Sequence, residues 1–154
     1  MKNLYVSGTP QFAGTFGVRY FIDYWFLSAN LNAFGRNYID VAPARRMEGI
    51  YNTVDPTLPE TMDTYYAMTT QERIGSACTL DLSVGKIFYL RNRQSINFNL
   101  SVNNVLNKRD IRTGGYEQAR VFASDGALVN PALFPNKYYY MQGINCFANI
   151  SYRF

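Results

Sequence analysis

Residues 95–103 read SINFNLSVN, with Ile96, Phe98, Leu100 and Val102 at every second position and Ser95, Asn97, Asn99, Ser101 and Asn103 between them. Strict alternation over nine positions is the signature of a β-strand, because successive side chains leave an extended backbone on opposite sides. One face of this strand is wholly apolar and the other is wholly amide and hydroxyl. The polar face carries no charge, which is unusual for a strand that turns one side to a soluble protein's surface.

The same period recurs on either side of this stretch, which itself extends over about 94–105. At about 11–22, Phe12, Phe16, Val18, Tyr20 and Ile22 share one parity, while Thr15 and Arg19 take the other. At about 24–39, Trp25, Leu27, Ala29, Leu31 and Ala33 alternate with Ser28, Asn30, Asn32 and Arg36. At about 76–90, Cys78, Leu80, Leu82 and Val84 alternate with Thr79, Asp81 and Ser83. At about 138–154, Ile144, Cys146, Ala148, Ile150, Tyr152 and Phe154 face away from Asn145, Asn149, Ser151 and Arg153. All six prolines fall outside these segments, as strands that need their ladder donors require. Lys86 is the one charge on an apolar parity. No long window shows a helical period, so the expected fold is all-β, an antiparallel up-and-down meander of about five long strands.

Composition narrows the function classes. Aromatic residues make up 16% of the chain, and charged residues only 17% against roughly 25% in ordinary soluble domains. The basic residues form no stripe of the kind that tracks a phosphate backbone, so no nucleic-acid partner is expected. Histidine is absent, which removes the commonest general base and the commonest nitrogen ligand of metals. Cys78 and Cys146 are too few and too far apart for a zinc site and read as apolar-face residues. With no activated nucleophile in sight either, neither an enzymatic activity nor a cofactor is expected.

The period alone leaves open whether the apolar face looks into a soluble core or out at lipid, since a small soluble β-barrel or sheet binding an apolar ligand shows the same alternation. Three features favour lipid. The strands are longer than the usual five or six residues and match the roughly 9–11 that cross a bilayer at a tilt. Aromatics gather at both ends of the last segment, Tyr138 to Tyr140 at its start and Tyr152 and Phe154 at its end, as in two interfacial girdles. The connections alternate, short at Asp23-Tyr24 and at Leu90–Gln94 but long at about 40–75 and 106–137. That is the layout of an outer-membrane barrel with short periplasmic turns and long extracellular loops. On this reading Ile96, Phe98, Leu100, Val102, Leu80, Leu82 and Ile144 face lipid, and Asn97, Asn99, Asn103, Asp81, Arg19, Asn145 and Asn149 line an aqueous lumen.

Three longer stretches, WFLSANLNAFGRNYIDVAPARR (25–46), FNLSVNNVLNKRDIRTGGYEQAR (98–120) and FPNKYYYMQGINCFANISYRF (134–154), carry a resemblance. They resemble the C-terminal end of TonB-dependent outer-membrane receptors of the SusC/RagA-like branch found in Bacteroidetes, and the likeness runs from about Phe12 to the last residue. It implies the C-terminal portion of a 22-stranded barrel that imports oligosaccharides, peptides or similar nutrients across the outer membrane. It further implies several partners: the remaining barrel and its plug, a SusD-like surface lipoprotein, the TonB complex acting through an N-terminal part, the barrel-assembly machinery and the lipid bilayer. No plug is found in these residues, so the chain is expected to be a fragment that does not transport alone.

Within that resemblance, Phe154, Tyr152, Ile150 and Ala148 look like the C-terminal signal read by the assembly machinery, a case of strand addition with alternate side chains supplying specificity. The loop residues Tyr116, Glu117 and Arg120, following Gly114-Gly115 in an expected tight turn, and the pair Arg45-Arg46 are candidates for contact with substrate or lipoprotein. A loop held by its own packing is the competing reading for both segments.

Overall fold

A computed structural model describes residues 4–46, 57, 59–120 and 134–154. Among the described residues the chain is all-β apart from one α-helix and short turns, and it separates into two compact units. The first comprises residues 1–10, 36–75 and 112–140, and the second comprises 11–35, 76–111 and 141–154. Portions of the two expected long loops, 47–56, 58 and 121–133, lie outside the described residues.

The second unit is built on a five-stranded antiparallel sheet. In chain order the strands of the molecule are β1 (Phe12–Ile22), β2 (Trp25–Gly35), β3 (Asn37–Tyr38), β4 (Arg73–Ile74), β5 (Ala77–Tyr89), β6 (Ser95–Asn103), β7 (Arg112–Tyr116), β8 (Lys137–Tyr140) and β9 (Asn145–Arg153). The sheet runs β1-β2-β5-β6-β9, each strand beside its sheet neighbours in chain order, as an up-and-down meander demands. β1 joins β2 through Asp23 and Tyr24, which both take positive φ, the backbone of a type I′ hairpin turn whose twist matches its strands. β5 joins β6 through a turn in which Asn92 and Arg93 take positive φ and the Leu90 N–H donates to the Gln94 carbonyl.

The far end of β6 is closed by Asn104, whose buried side chain replaces several backbone partners. Its Nδ2 donates to the carbonyls of Lys108 (2.9 Å) and Gln142 (3.0 Å), its Oδ1 accepts from the Lys108 N–H (3.1 Å), and its own N–H donates to Asp81 Oδ1 at 2.8 Å. Asn107 Oδ1 then accepts from the Ile144 N–H at 3.0 Å and so sets the entry to β9.

Two expectations about the long segments are corrected here. The second segment ends at Gly35 rather than at residue 39, because Arg36 takes positive φ and breaks the strand. The last segment is two strands, not one: Met141 to Ile144 bend away, with the Met141 N–H bonded to the Ile111 carbonyl, and Tyr138, Tyr139 and Tyr140 belong to β8, which pairs with β7. Those tyrosines therefore form no girdle on the five-stranded sheet, and Ile144 stands just outside its final strand.

The first unit holds the remaining pieces: the ribbons β3-β4 and β7-β8, a turn of 3-10 helix at Pro43–Arg46, and an α-helix, α1 (Pro59–Thr69), inside the expected loop 40–75. Pro59 at the first helical position is well placed, since its missing N–H would be unsatisfied there anyway. Its weakly amphipathic sequence explains why no helical period marks it. The buried core of this unit includes Ile39, Ala42 and Ile74. Gly115 lies in β7, without positive φ, so the expected tight turn is absent; instead a Cβ there would collide with the Lys137 carbonyl and press on Ile39 and Tyr138. Among the described residues no helix is long and apolar enough to cross a membrane, which says nothing of strands.

Candidate functional site: the two faces of the five-stranded sheet

Antiparallel pairing puts directly opposed residues on the same face, so the register shows the composition of each surface. One row runs Tyr20, Leu27, Val84, Leu100 and Ala148; the next runs Val18, Ala29, Leu82, Val102 and Cys146. Phe16, Leu31 and Leu80 form a third row, and Phe88, Ile96 and Tyr152 form another toward the short turns. This face is apolar across all five strands, and among the described residues it is left uncovered: Leu27, Leu31 and Leu82, in the middle strands, are 44%, 46% and 40% exposed. Burying what remains exposed would gain roughly 1 kcal/mol for each leucine, an amount that adds up over five strands.

Among the strand residues Lys86 is the one charge on this face, in the row Ile22, Trp25, Lys86, Phe98 and Ile150; at the other end the Lys108 ammonium, from beyond β6, comes to 3.8 Å from Cys78 Sγ. The Lys86 ammonium rests 4.4 Å from the centre of the Trp25 ring and 5.1 Å from that of Phe88, so the side chain leans toward the short turns. The same end of the sheet carries two further aromatic pairs, Tyr24 with Tyr89, edge to face at 5.0 Å, and Tyr152 with Phe154 at 6.2 Å. Aromatic side chains thus gather at this end of the sheet, Tyr152 and Phe154 of the last segment among them, whereas Tyr138 to Tyr140 do not belong to it.

The opposite face carries the amides and hydroxyls. Asn32 Nδ2 donates to Asp81 Oδ2 at 2.7 Å, Thr15 Oγ1 donates to Asn32 Oδ1 at 2.9 Å, Ser28 and Ser83 share a hydrogen bond of 2.6 Å, and Asn103 Nδ2 donates to Asn145 Oδ1 at 3.1 Å. Asp81 is therefore held by amides rather than offered as a free charge. Asn97 faces Ile87 and Ser151, and Asn99 faces Gly85 and Asn149. A shallow depression of about 310 Å³ opens here, lined by Arg19, Phe21, Phe26, Ser28, Ser83, Asn99 and Ser101 among others. Gly85 seats two of its lining residues: a Cβ at that position would strike the Phe26 ring and Asn99 Oδ1, so glycine lets the ring lie across the strand.

Phe21, Phe26, Phe34, Ile87 and Phe147 also stand on this side, Phe34 between Ala13 and Ala77 and Phe147 opposite Ser101. Parity counting passes over them because they interrupt the polar set without disturbing the apolar one. Phe21 and Phe26, directly paired at the end of a hairpin, were the available signal.

In the other unit, the structure places three of the five candidate loop residues inside. Arg46 Nη1 and Nη2 bond to Glu117 Oε2 and Oε1 at 2.5 and 2.8 Å, with side chains only 7% and 4% exposed, and Glu117 Oε2 also accepts from the Ala42 N–H at 2.9 Å. Arg45 is buried and donates to the Phe134 carbonyl at 2.7 Å; burial pulls its guanidinium pKa below the ordinary value, an effect Glu117 opposes and Arg46 reinforces. Tyr116 and Arg120 remain exposed. Nearby, Glu72 accepts from Tyr138 Oη at 2.9 Å and from Asn136 Nδ2 at 2.7 Å, and the Arg112 guanidinium sits 4.0 Å from the centre of the Tyr138 ring. Burial, then the hydrogen bond and charge of Glu72, push the Tyr138 hydroxyl above its usual pKa.

Compared with known proteins, the chain matches no family model, no curated protein and no solved structure.

Proposed function

We propose that the five-stranded sheet is a piece of the wall of an outer-membrane β-barrel, with the Leu100 face toward lipid and the Asn99 face toward an aqueous lumen. The observation that carries this is the uncovered apolar face, continuous over five strands and backed by a face of amides and hydroxyls. Along β1, Phe12 to Ile22 is about 33 Å of strand, which at a tilt near 40° rises about 25 Å, the height of a barrel's apolar band. Among the described residues β1 pairs only with β2, and β9 only with β6. In lipid each unpaired backbone group costs several kcal/mol, so this sheet requires further strands on both sides.

Taken with the resemblance of residues 25–46, 98–120 and 134–154, the reading extends to a TonB-dependent nutrient importer of the SusC/RagA-like kind, working with a SusD-like lipoprotein. Phe154, Tyr152, Ile150 and Ala148 serve as its assembly signal on the exposed edge strand. The burial of Arg45, Arg46 and Glu117 favours the reading of those loops as self-packed, which leaves Tyr116 and Arg120 as the residues available to substrate or lipoprotein.

Sequencing the genomic DNA on the 5′ side of the Met1 codon tests the importer reading. A continuous frame encoding a plug and further alternating strands is expected. A promoter and ribosome-binding site abutting Met1, with an unrelated gene upstream, would contradict it.

A further inference from the structure

The short-turn end of the sheet combines features the barrel reading does not by itself require. Lys86 sits on the apolar face and makes no ion pair among the described residues; its ammonium lies over the rings of Trp25 and Phe88. It lies three residues, about 10 Å, from the end of β5 at Tyr89. Immediately beyond, the connecting turn presents Arg91 and Arg93, both exposed and neither in an ion pair among the described residues. Asp23, in the neighbouring hairpin turn, is the acidic side chain of this end.

An ammonium on an apolar surface is costly unless it reaches the polar boundary, and a long lysine side chain does so by laying its methylenes along the surface and directing its head outward. Here the head leans toward the turn, between amphipathic rings of the kind that settle at headgroup level. Unbalanced positive charge at that depth complements a lipid phosphate with net negative charge.

We propose that this rim binds anionic phospholipid headgroups, with Lys86 as the cation at the lipid-facing boundary and Arg91 and Arg93 as its outer supports. The inference rests on the membrane reading of the sheet. A cation near a charged membrane surface contributes about 1 kcal/mol, a factor of about five in partitioning.

The chain's one tryptophan, Trp25, is the natural reporter. The full chain is titrated with vesicles of phosphatidylcholine alone and of phosphatidylcholine mixed with phosphatidylglycerol, following Trp25 emission. A preference for the mixed vesicles is expected, reduced about fivefold by Lys86→Met, retained by Lys86→Arg, and unaffected by Lys137→Met in β8. Inorganic phosphate at matched ionic strength should leave the preference unchanged. If Lys86→Met keeps the full preference, or if inorganic phosphate abolishes it, the proposal is overturned while the membrane reading stands. If Trp25 shows a water-exposed spectrum with both vesicles, the membrane reading falls and this inference with it.

Discussion

The two units of this chain follow opposite rules of burial. In the loop unit Ile39 is 0% exposed, the Arg46–Glu117 pair is sunk among its neighbours, and the Gln71 amide is spent on the Ile39 and Tyr5 carbonyls. In the sheet unit leucines in the middle of the sheet stand open, while asparagines and serines bond to one another on the other side. Both come from one sequence, so the same residue types follow different burial rules in the two units. On the proposed reading the difference is one of solvent: the loop unit, which hides a charged pair and apolar side chains together, suits water, and the sheet, whose apolar face is uncovered among the described residues, suits lipid.

The largest expected effect breaks the loop unit alone. Glu117→Ala removes the partner of a buried guanidinium and the acceptor of the Ala42 N–H, and should cost about 3–5 kcal/mol. Hydrogen exchange should show the loss at Ile39 to Ala42 and at Tyr116, with protection in β5 and β6 unchanged. Equal loss in both units would erase the contrast between them.

Next in size is a parity pair on β6. In a bilayer, Leu100→Lys should cost about 2–4 kcal/mol near the midplane, measured by denaturant titration of the lipid-bound chain, while Asn99→Lys should cost far less. A reversed order would assign the faces the other way.

Smaller, and confined to the sheet unit, is Asn104→Ala. It leaves the Lys108 N–H and the Lys108 and Gln142 carbonyls short of a partner, at about 1–3 kcal/mol. Faster exchange at Lys108 and Ile144, with the middle of β5 intact, would place the damage at the β6 end as expected.

The smallest effect is one of pH. Because the folded structure raises the Tyr138 pKa, the protonated hydroxyl favours the folded state. Its contribution is complete below the unfolded tyrosine value of about 10 and is lost as pH rises through the higher folded value. Loop-unit stability should therefore fall in that alkaline range, and Tyr138→Phe should flatten the response. An unchanged slope in the variant would detach the effect from this residue.

The five-stranded order, its two faces and both short turns were legible because period-2 alternation is a local property that the sheet simply realises. What escaped depends on contacts between distant residues. KYYY (137–140) continues the aromatic character of the last strand, yet its partner is β7, and the separating bend is held by Asn107 and Ile111, far back in the chain. Arg45, Arg46 and Glu117 read as loop charges because nothing in either segment announces the other. Gly114-Gly115 suggested a turn, whereas in the fold Gly115 makes room for Ile39. Lys86 broke the parity pattern in plain view, and its meaning required the rings of Trp25 and Phe88 beside it.

The central claim, that the apolar face meets lipid, is tested most directly by depth. Nitroxide labels at position 100 and at position 99 of the lipid-reconstituted chain are compared for access to oxygen, which concentrates in the bilayer, and to a water-soluble nickel chelate. Label 100 is expected to be reached by oxygen and shielded from nickel, and label 99 the reverse. Equal nickel access at both positions, or greater access at position 100, would contradict the account.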